Sequence, residues 1–210
     1  MAAYSLTNII DKFEKFAPPS LAQFDYIGLL VGDKNKPVSK IGLTLDFSLL
    51  AMREAVKRGC HALITHHGPT IIDTPIQGNM AEKIRFCAEH NLPVYRAHLN
   101  LDFCDGGIIE TLCDLLKIKT QGTVLSFGPH HIINGVRVSS TPIKLEDLLK
   151  RTKTLRPTTI RMAGPKREKF NRIAITSGQG FFETFMGQLA PLGLYIAGEF
   201  EQEAVRAAED

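Results

Sequence analysis

The sequence predicts an α/β fold built from two similar α/β domains with largely parallel or mixed sheets. Short apolar segments alternate along the 210-residue chain with amphipathic segments of about ten residues, the pattern of successive βαβ units. The same alternation of predicted strands and helices occurs before residue 120 and again after it. This places an N-terminal domain at 1–120 and a second domain at 121–210. An apolar fraction of 44% and a charged fraction of 22% are ordinary for a globular protein.

The first domain opens with a predicted amphipathic helix. Leu6, Ile9, Ile10, Phe13 and Phe16 share one face at helical spacing, Ser5 is a plausible N-cap, and two prolines follow. Beyond it, alternating or continuous apolar runs predict strands in VSKIGLTLD, HALIT and PVYRAH. Between and after these strands, helical spacing predicts helices in FSLLAMREAVKRG, NMAEKIRFCAEHN and GIIETLCDLLKI.

The second domain repeats this order without a detectable sequence repeat. TVLSFG and IINGVRVSS predict a hairpin or neighbouring strands, and TTIRMAG, NRIAITSG and LYIAG predict further strands. Helices are expected in IKLEDLLKRTK and FFETFMGQLAPLG and at the start of EQEAVRAAED. No strand follows this last helix, so the second domain is expected to be incomplete at its C-terminus.

Composition excludes several classes of protein. No run approaches the ~18 consecutive apolar residues of a membrane span, and charged residues interrupt the apolar N-terminal region, which argues against a secretory signal. We therefore expect a cytoplasmic protein with no membrane partner. Residues 144–172 hold ten basic and three acidic residues, a local excess of +7. A nucleic-acid or protein partner could use this segment, but a solvated helix face and loop is the better reading because no aromatics are interleaved.

Polar side chains follow three predicted strands of the first domain at the point where each strand ends. Asp46 follows the first, His66 and His67 the second, and His98 with Asp102 the third. In open α/β sheets, ligands bind outside the carboxyl ends of the parallel strands. Imidazole and carboxylate together are the ligand set of Zn, Mn, Fe or Ni rather than of Ca. His98 could be a ligand itself or could orient one.

The adjacent histidines raise a geometrical question. Consecutive side chains of an extended strand point to opposite faces, so His66 and His67 cannot easily bind one ion while the strand continues. Either the chain bends at once, which Gly68-Pro69 would encourage, or the two rings serve different ions of a dinuclear centre. Two close metals are a known arrangement for hydrolysis.

These motifs, taken in order, resemble the Nif-three-like dinuclear metal centre family, also called the GTP cyclohydrolase one type-two homologues. APPSLAQFDYIGLLVG is similar to the family's N-terminal motif, with Phe24-Asp25-Tyr26 in place of Trp-Asp-Asn. ITHHGPT resembles its histidine pair, AHLNLD its His-x-Asn-Leu-Asp motif, and AITSGQGFFETFMGQLAPLGLYIAGE its Gly-rich turn, helix and Thr-Gly-Glu strand, with Ala197 for the Thr. The resemblance runs over nearly the whole chain. For Asp25 itself, a loop or capping role is as plausible as a role in the site.

The resemblance implies two α/β domains, a toroidal hexamer built as a trimer of dimers, and a pair of divalent metals. His66, His67 and Asp102 match its metal ligands. His98 and Asp46, from their places at strand ends, could orient these ligands. Glu199 could do so because the family's matching strand borders the site, although a solvated structural role is as plausible for it. The family also supplies a His and a Glu from a Gly-His-x-x-x-Glu segment, and the chain ends at Asp210 before such a segment. Three protein ligands would then hold one ion well or two weakly, the candidates being Zn, Mn, Fe, Ni or Mg.

Two functions follow as expectations. The first is a divalent-metal-dependent hydrolase acting on a small phosphate- or nucleotide-like substrate through a metal-activated water. The alternative is a non-enzymatic ring-shaped binding or regulatory protein with a partial or vestigial metal site. The sequence assigns no further catalytic residue and no organic cofactor.

Overall fold

A computed structural model describes residues 4–22, 25–69, 76–120, 125–127, 131–133, 136–179 and 193–209. The chain divides into two compact units, Met1–Cys104 and Asp105–Asp210. The division lies earlier in the chain than the expected position near residue 120. Because of this, the predicted helix GIIETLCDLLKI belongs to the second unit and not to the first.

The first unit is a mixed α/β layer structure. Its elements are β1 (Tyr4–Ser5), α1 (Leu6–Phe16), a 3-10 turn (Pro19–Ala22), β2 (Gly28–Val31), β3 (Pro37–Val38), β4 (Ile41–Thr44), α2 (Leu49–Lys57), β5 (Ala62–Thr65), α3 (Gly78–Glu89), β6 (Val94–Arg96) and α4 (Leu99–Phe103). Four of the strands form one sheet in the order β2-β6-β5-β4.

Three strands of this sheet run parallel and end side by side. β4 pairs with β5, and β5 pairs with β6, both in parallel, whereas β2 joins the other side of β6 antiparallel. The register places Thr44 opposite Thr65, and Thr65 opposite Arg96. The residues that follow these three strands therefore leave the sheet at one edge, as the sequence predicted.

Helices cover both faces of the sheet. Neighbouring residues of β5 point to opposite faces, so Leu63 joins one apolar cluster and Ala62 another. The first cluster includes Met52 of α2 and Cys87 of α3, and the second includes Leu6 of α1. Burial of each large apolar side chain contributes roughly 1.5–3 kcal/mol, which fixes the sheet and with it the edge where the three strands end.

The helix ends show why these segments become helical. Ser5 caps α1: its hydroxyl accepts from the backbone N–H of Asn8, and the Asn8 side chain accepts in return from the Ser5 N–H. Ser48 caps α2 by accepting from the backbone N–H of Ala51. After α2, Gly59 takes a φ of 68° in the left-handed region that glycine adopts without penalty, and the chain turns into β5.

The second unit carries shorter elements. They are α5 (Ile108–Leu115), β7 (Leu125–Phe127), β8 (His131–Ile133), β9 (Arg137–Ser139), β10 (Ile143–Lys144), α6 (Leu145–Thr154), β11 (Lys169–Phe170), β12 (Ile173–Ile175), β13 (Leu194–Ile196) and α7 (Gln202–Glu209). β12 lies between β13, which is parallel to it, and β9, which is antiparallel. β7 pairs antiparallel with β8, and β10 with β11.

Most predicted elements of the second unit are confirmed, with one correction. The segment TTIRMAG, residues 158–164, is not a strand, and its side chains are almost all exposed. β-branched residues favour a strand only where a pleated surface can be half buried, and these residues have no such surface. The helix predicted in FFETFMGQLAPLG lies outside the described residues.

No helix in the described ranges is both long and apolar enough to cross a membrane.

Candidate metal centre

The polar residues after β4, β5 and β6 gather at one edge of the first unit. β5 ends at Thr65, and the chain bends at His66 and His67 instead of continuing the pleat. The backbone N–H groups of His66 and His67 donate to the carbonyls of Thr44 and Leu45, which holds the bend against the end of β4. The immediate bend, one of the alternatives that the sequence left open, is therefore present in the structure, and both rings reach one cluster.

Three imidazoles form this cluster. The ring centroids of His66 and His67 are 5.0 Å apart, those of His66 and His98 are 5.0 Å apart, and those of His67 and His98 are 5.6 Å apart. One ring nitrogen from each lies within 4.8 Å of the other two. Three imidazole nitrogens at this spacing can bind one divalent ion, and the chemistry of the donors fits the metals expected from the sequence.

Each ring is oriented through its Nδ1 atom. His66 Nδ1 lies 2.9 Å from the carbonyl oxygen of Ala97, and His67 Nδ1 lies 2.9 Å from Asp46 Oδ1. A carbonyl oxygen and a carboxylate can only accept, so each Nδ1 carries the hydrogen and donates it. The lone pair of each ring is then on Nε2, which is the state that a metal ligand requires.

Asp102 supplies a carboxylate beside the rings. It lies one helical turn after His98, and its backbone N–H donates to the His98 carbonyl within α4. Asp102 is only 4% exposed, and its Oδ2 is 3.5 Å from His66 Nε2. The Asp46–His67 pair is more open, with side chains 63% and 51% exposed, so one side of the cluster faces solvent.

The surroundings favour the neutral form of His66. Burial lowers its pKa below the ordinary value, and the nearby His98 and His67 act in the same direction, against the opposite effects of Asp102 and the Ala97 carbonyl. A neutral imidazole has its Nε2 lone pair available without first losing a proton, which favours metal binding near neutral pH.

An ion pair lies behind the third ring. Arg96 Nη1 is 2.9 Å from Asp25 Oδ1, and His98 Nδ1 is 2.6 Å from Asp25 Oδ2. The side chains of Arg96 and Asp25 are 8% and 11% exposed. Arg96 Nε is buried, and among the described residues it has no hydrogen-bond partner.

Comparison with known proteins shows which family the chain belongs to. The profile of the family described as Duf34/NIF3 (NGG1p interacting factor 3) matches residues 4–210. The chain belongs to this family. The resemblance noted in the sequence is therefore confirmed, and the mixed α/β fold agrees with it.

Individual relatives of this NIF3-family chain carry a common name. The chain is 32% identical over 208 residues to a "GTP cyclohydrolase 1 type 2 homolog" of Clostridium perfringens, and the match covers 92% of this chain and 77% of the relative. A relative of the same name from Methanocaldococcus jannaschii is 30% identical over 210 residues, covering 96% and 82%. Reduced HcgD from Methanocaldococcus jannaschii has a similar solved structure, with a TM-score of 0.82, 27% identity, and coverage of 100% of this chain and 84% of that one.

The structure brings together five of the predicted site residues: His66, His67, His98, Asp46 and Asp102. Glu199 lies in the second unit, where its backbone N–H donates to the carbonyl of Gly178, and a role for it in the site stays a prediction.

Arg96 is the residue that sequence reasoning missed. An arginine in the middle of the apolar strand segment PVYRAH must find a buried partner, and this was the signal available. Its partner is Asp25, which the sequence left undecided.

Proposed function

We propose that this NIF3-family protein is a divalent-metal-dependent hydrolase that acts on a small phosphate- or nucleotide-like substrate. The observation that carries the proposal is the cluster of oriented imidazoles next to a buried carboxylate at the carboxyl edge of a parallel sheet. In this proposal His66, His67 and Asp102 hold the metal. The name shared by the curated relatives supports a nucleotide-like substrate.

Each side chain has a separate role in such a site. His66 and His67 offer Nε2 because Ala97 and Asp46 occupy their Nδ1 atoms. Asp102 adds the negative charge that balances a dication. A bound divalent ion would supply Lewis-acid polarisation of a substrate oxygen and would make a water acidic enough to act near neutral pH. The open side at Asp46 and His67 gives a substrate access.

The donor set favours Zn, Mn, Fe or Ni over Mg, because Mg prefers oxygen ligands and retains water. We propose one or two ions per chain. We also propose a homo-oligomeric assembly, a hexamer arranged as a trimer of dimers, on the strength of family membership.

Metal analysis and turnover test this function together. The 210-residue protein is purified without chelator, and its metal content per chain is measured beside that of a His66→Ala, His67→Ala double variant. We expect stoichiometric metal in the first and none in the second, and metal-dependent hydrolysis of some member of a panel of nucleotides and phosphate esters. Metal without hydrolysis across the panel would contradict the enzyme and favour the alternative, a ring-shaped binding or regulatory protein. Absence of metal from both proteins, after incubation with each candidate ion, would contradict the site itself.

A further inference from the structure

The two edge strands of the sheet in the first unit are built differently. β2 forms one edge, and its register with β6 shifts between Leu29 and Val31. Irregularities of this kind are one way in which proteins keep other strands from pairing with an edge. β4 forms the other edge and pairs with β5 in unbroken register over all four of its residues. Among the residues that the structure describes, no strand pairs with the outer side of β4.

The backbone of β4 presents hydrogen-bonding groups on that outer side. The N–H groups of His61 and His66, at the two ends of β5, donate to the carbonyls of Lys40 and Thr44. Successive residues of a strand direct their backbone groups to opposite sides, so the N–H and C=O groups of Ile41 and Leu43 point away from β5. β4 is therefore an open edge of the kind that can pair with a further strand.

Large apolar side chains accompany this open edge. Leu43 is 80% exposed and Leu45 is 60% exposed. Leu43 shares a face of the sheet with Ile41, which packs against the cluster that contains Leu6 of α1. The cover of that face thus ends before Leu43. β4 also contains no charge and no proline, which are the residues that commonly protect an exposed edge. Exposed leucines on an unprotected edge indicate a surface that is covered by another chain.

The sequence around β4 is complementary to itself. If two copies of β4 run antiparallel about a twofold axis at Leu43, Leu43 faces its own equivalent, Ile41 faces Leu45, and Lys40 faces Asp46. Lys40 and Asp46 are both exposed, so each is available to the other across the axis. Opposite charges across paired strands stabilise the pairing, and like charges would oppose it. A twofold axis repeats each of these contacts, which is the property of an isologous interface.

We propose that the outer side of β4 is a docking surface for a second copy of this chain, and that two β4 strands pair antiparallel about Leu43. The two Leu43 residues exchange a pair of backbone hydrogen bonds, and the two four-stranded sheets become one continuous sheet. The second copy is the occupant because this register matches both the apolar residues and the charges. The inference goes beyond the proposed hydrolase, and it depends on neither metal binding nor turnover.

The molar mass of the assembly in solution tests the proposal. The 210-residue protein is compared with Leu43→Arg by light scattering during gel filtration. Leu43→Arg places like charges opposite each other at the axis, so we expect the molar mass of the assembly to be halved. Leu115→Arg is the matched control, since Leu115 is 55% exposed on α5 of the second unit, and its molar mass should not change. Lys40→Glu places a like charge opposite Asp46 and should raise the Kd of association.

A disulfide crosslink tests the register. Directly opposite Cα atoms of a hydrogen-bonded antiparallel pair are ~5.5 Å apart, within the range of about 4.4–6.8 Å that a disulfide spans. Leu43→Cys should therefore form a covalent dimer under mild oxidation. In the same register two copies of residue 45 are four residues out of step, about 13 Å along the strands, so Leu45→Cys should not. The unsubstituted protein shows how much crosslinking its own free cysteines give.

Each outcome supports or overturns the proposal. Halving of the mass by Leu43→Arg alone, with a crosslink at residue 43 and none at residue 45, supports it. A monomeric unsubstituted protein overturns it, as does an assembly whose mass Leu43→Arg leaves unchanged or Leu115→Arg reduces equally. Equal crosslinking of Leu43→Cys and Leu45→Cys overturns the antiparallel register. Leu43 and Leu45 are largely exposed, so these variants are expected to fold. Metal content per chain is read separately, so failure here leaves the proposed metal centre untouched.

Discussion

At the level of single residues, the histidine cluster could be anticipated because each member follows a strand that the sequence reveals. The carboxyl ends of parallel strands meet at one edge, so Asp46, His66 and His98 had to come close together once the strands were paired. The ion pair of Asp25 and Arg96 could not be predicted in the same way. Its members are far apart in sequence, and no periodic pattern connects a loop residue to a strand residue.

The lowered pKa of His66 predicts how acid affects the metal-free protein. The unfolded chain takes up a proton at this residue near the ordinary pKa of 6.5, whereas the folded protein takes it up only at lower pH. Stability is therefore fully present above pH 6.5 and is lost as the pH falls from there through the folded pKa. Denaturant titrations in chelator at a series of pH values should show the free energy of unfolding decreasing over this range.

His66→Gln should remove part of the pH dependence of the free energy of unfolding, because glutamine does not titrate. The control is His90→Gln, which removes an exposed imidazole that is not part of the cluster. An identical pH dependence in all three proteins would contradict the prediction.

At the level of elements, the sequence predicts the helices and strands that show a periodic apolar pattern and misses the elements that are too short to show one. Helix α1 was predicted from five apolar residues on one face and a serine cap, and the structure confirms both. Helix α4 was not predicted because it has five residues, too few for a helical period to show. A strand was wrongly predicted at residues 158–164. Their composition favours a strand, but the structure leaves these residues almost entirely exposed.

The cap of α1 gives a prediction for this scale. Ser5→Ala removes the acceptor for the Asn8 N–H and should lower the free energy of unfolding by about 1 kcal/mol. Equilibrium denaturation of metal-free protein measures this. Ser20→Ala, at an exposed position in the 3-10 turn, is the control and should change stability much less. Equal losses in the two variants would show that the cap contributes nothing specific.

At the level of the whole molecule, every residue proposed to bind metal belongs to the first unit, Met1–Cys104. An ion that binds only the folded state stabilises it by about 2.7 kcal/mol at a concentration one hundred times its Kd. That stabilisation should appear where the ligands are, in the ends of β5 and β6 and in α4.

Hydrogen exchange with and without Zn²⁺ tests this expectation. Amides of the first unit should exchange more slowly in the presence of Zn²⁺, while those of Asp105–Asp210 should change little. The His66→Ala, His67→Ala double variant serves as the control and should show no response. Slower exchange in the second unit of equal size would contradict a site confined to the first.

The buried guanidinium of Arg96 has a consequence for how the protein would change under selection for stability. Arg96 Nε is buried and has no hydrogen-bond partner among the described residues. Exchanging a buried ion pair for apolar side chains of similar size is often neutral or stabilises a protein by ~1–4 kcal/mol. Laboratory selection for heat tolerance alone should therefore favour variants in which Asp25 and Arg96 are replaced together by apolar residues. In such variants the Nδ1 atom of His98 would lose the carboxylate that lies 2.6 Å from it.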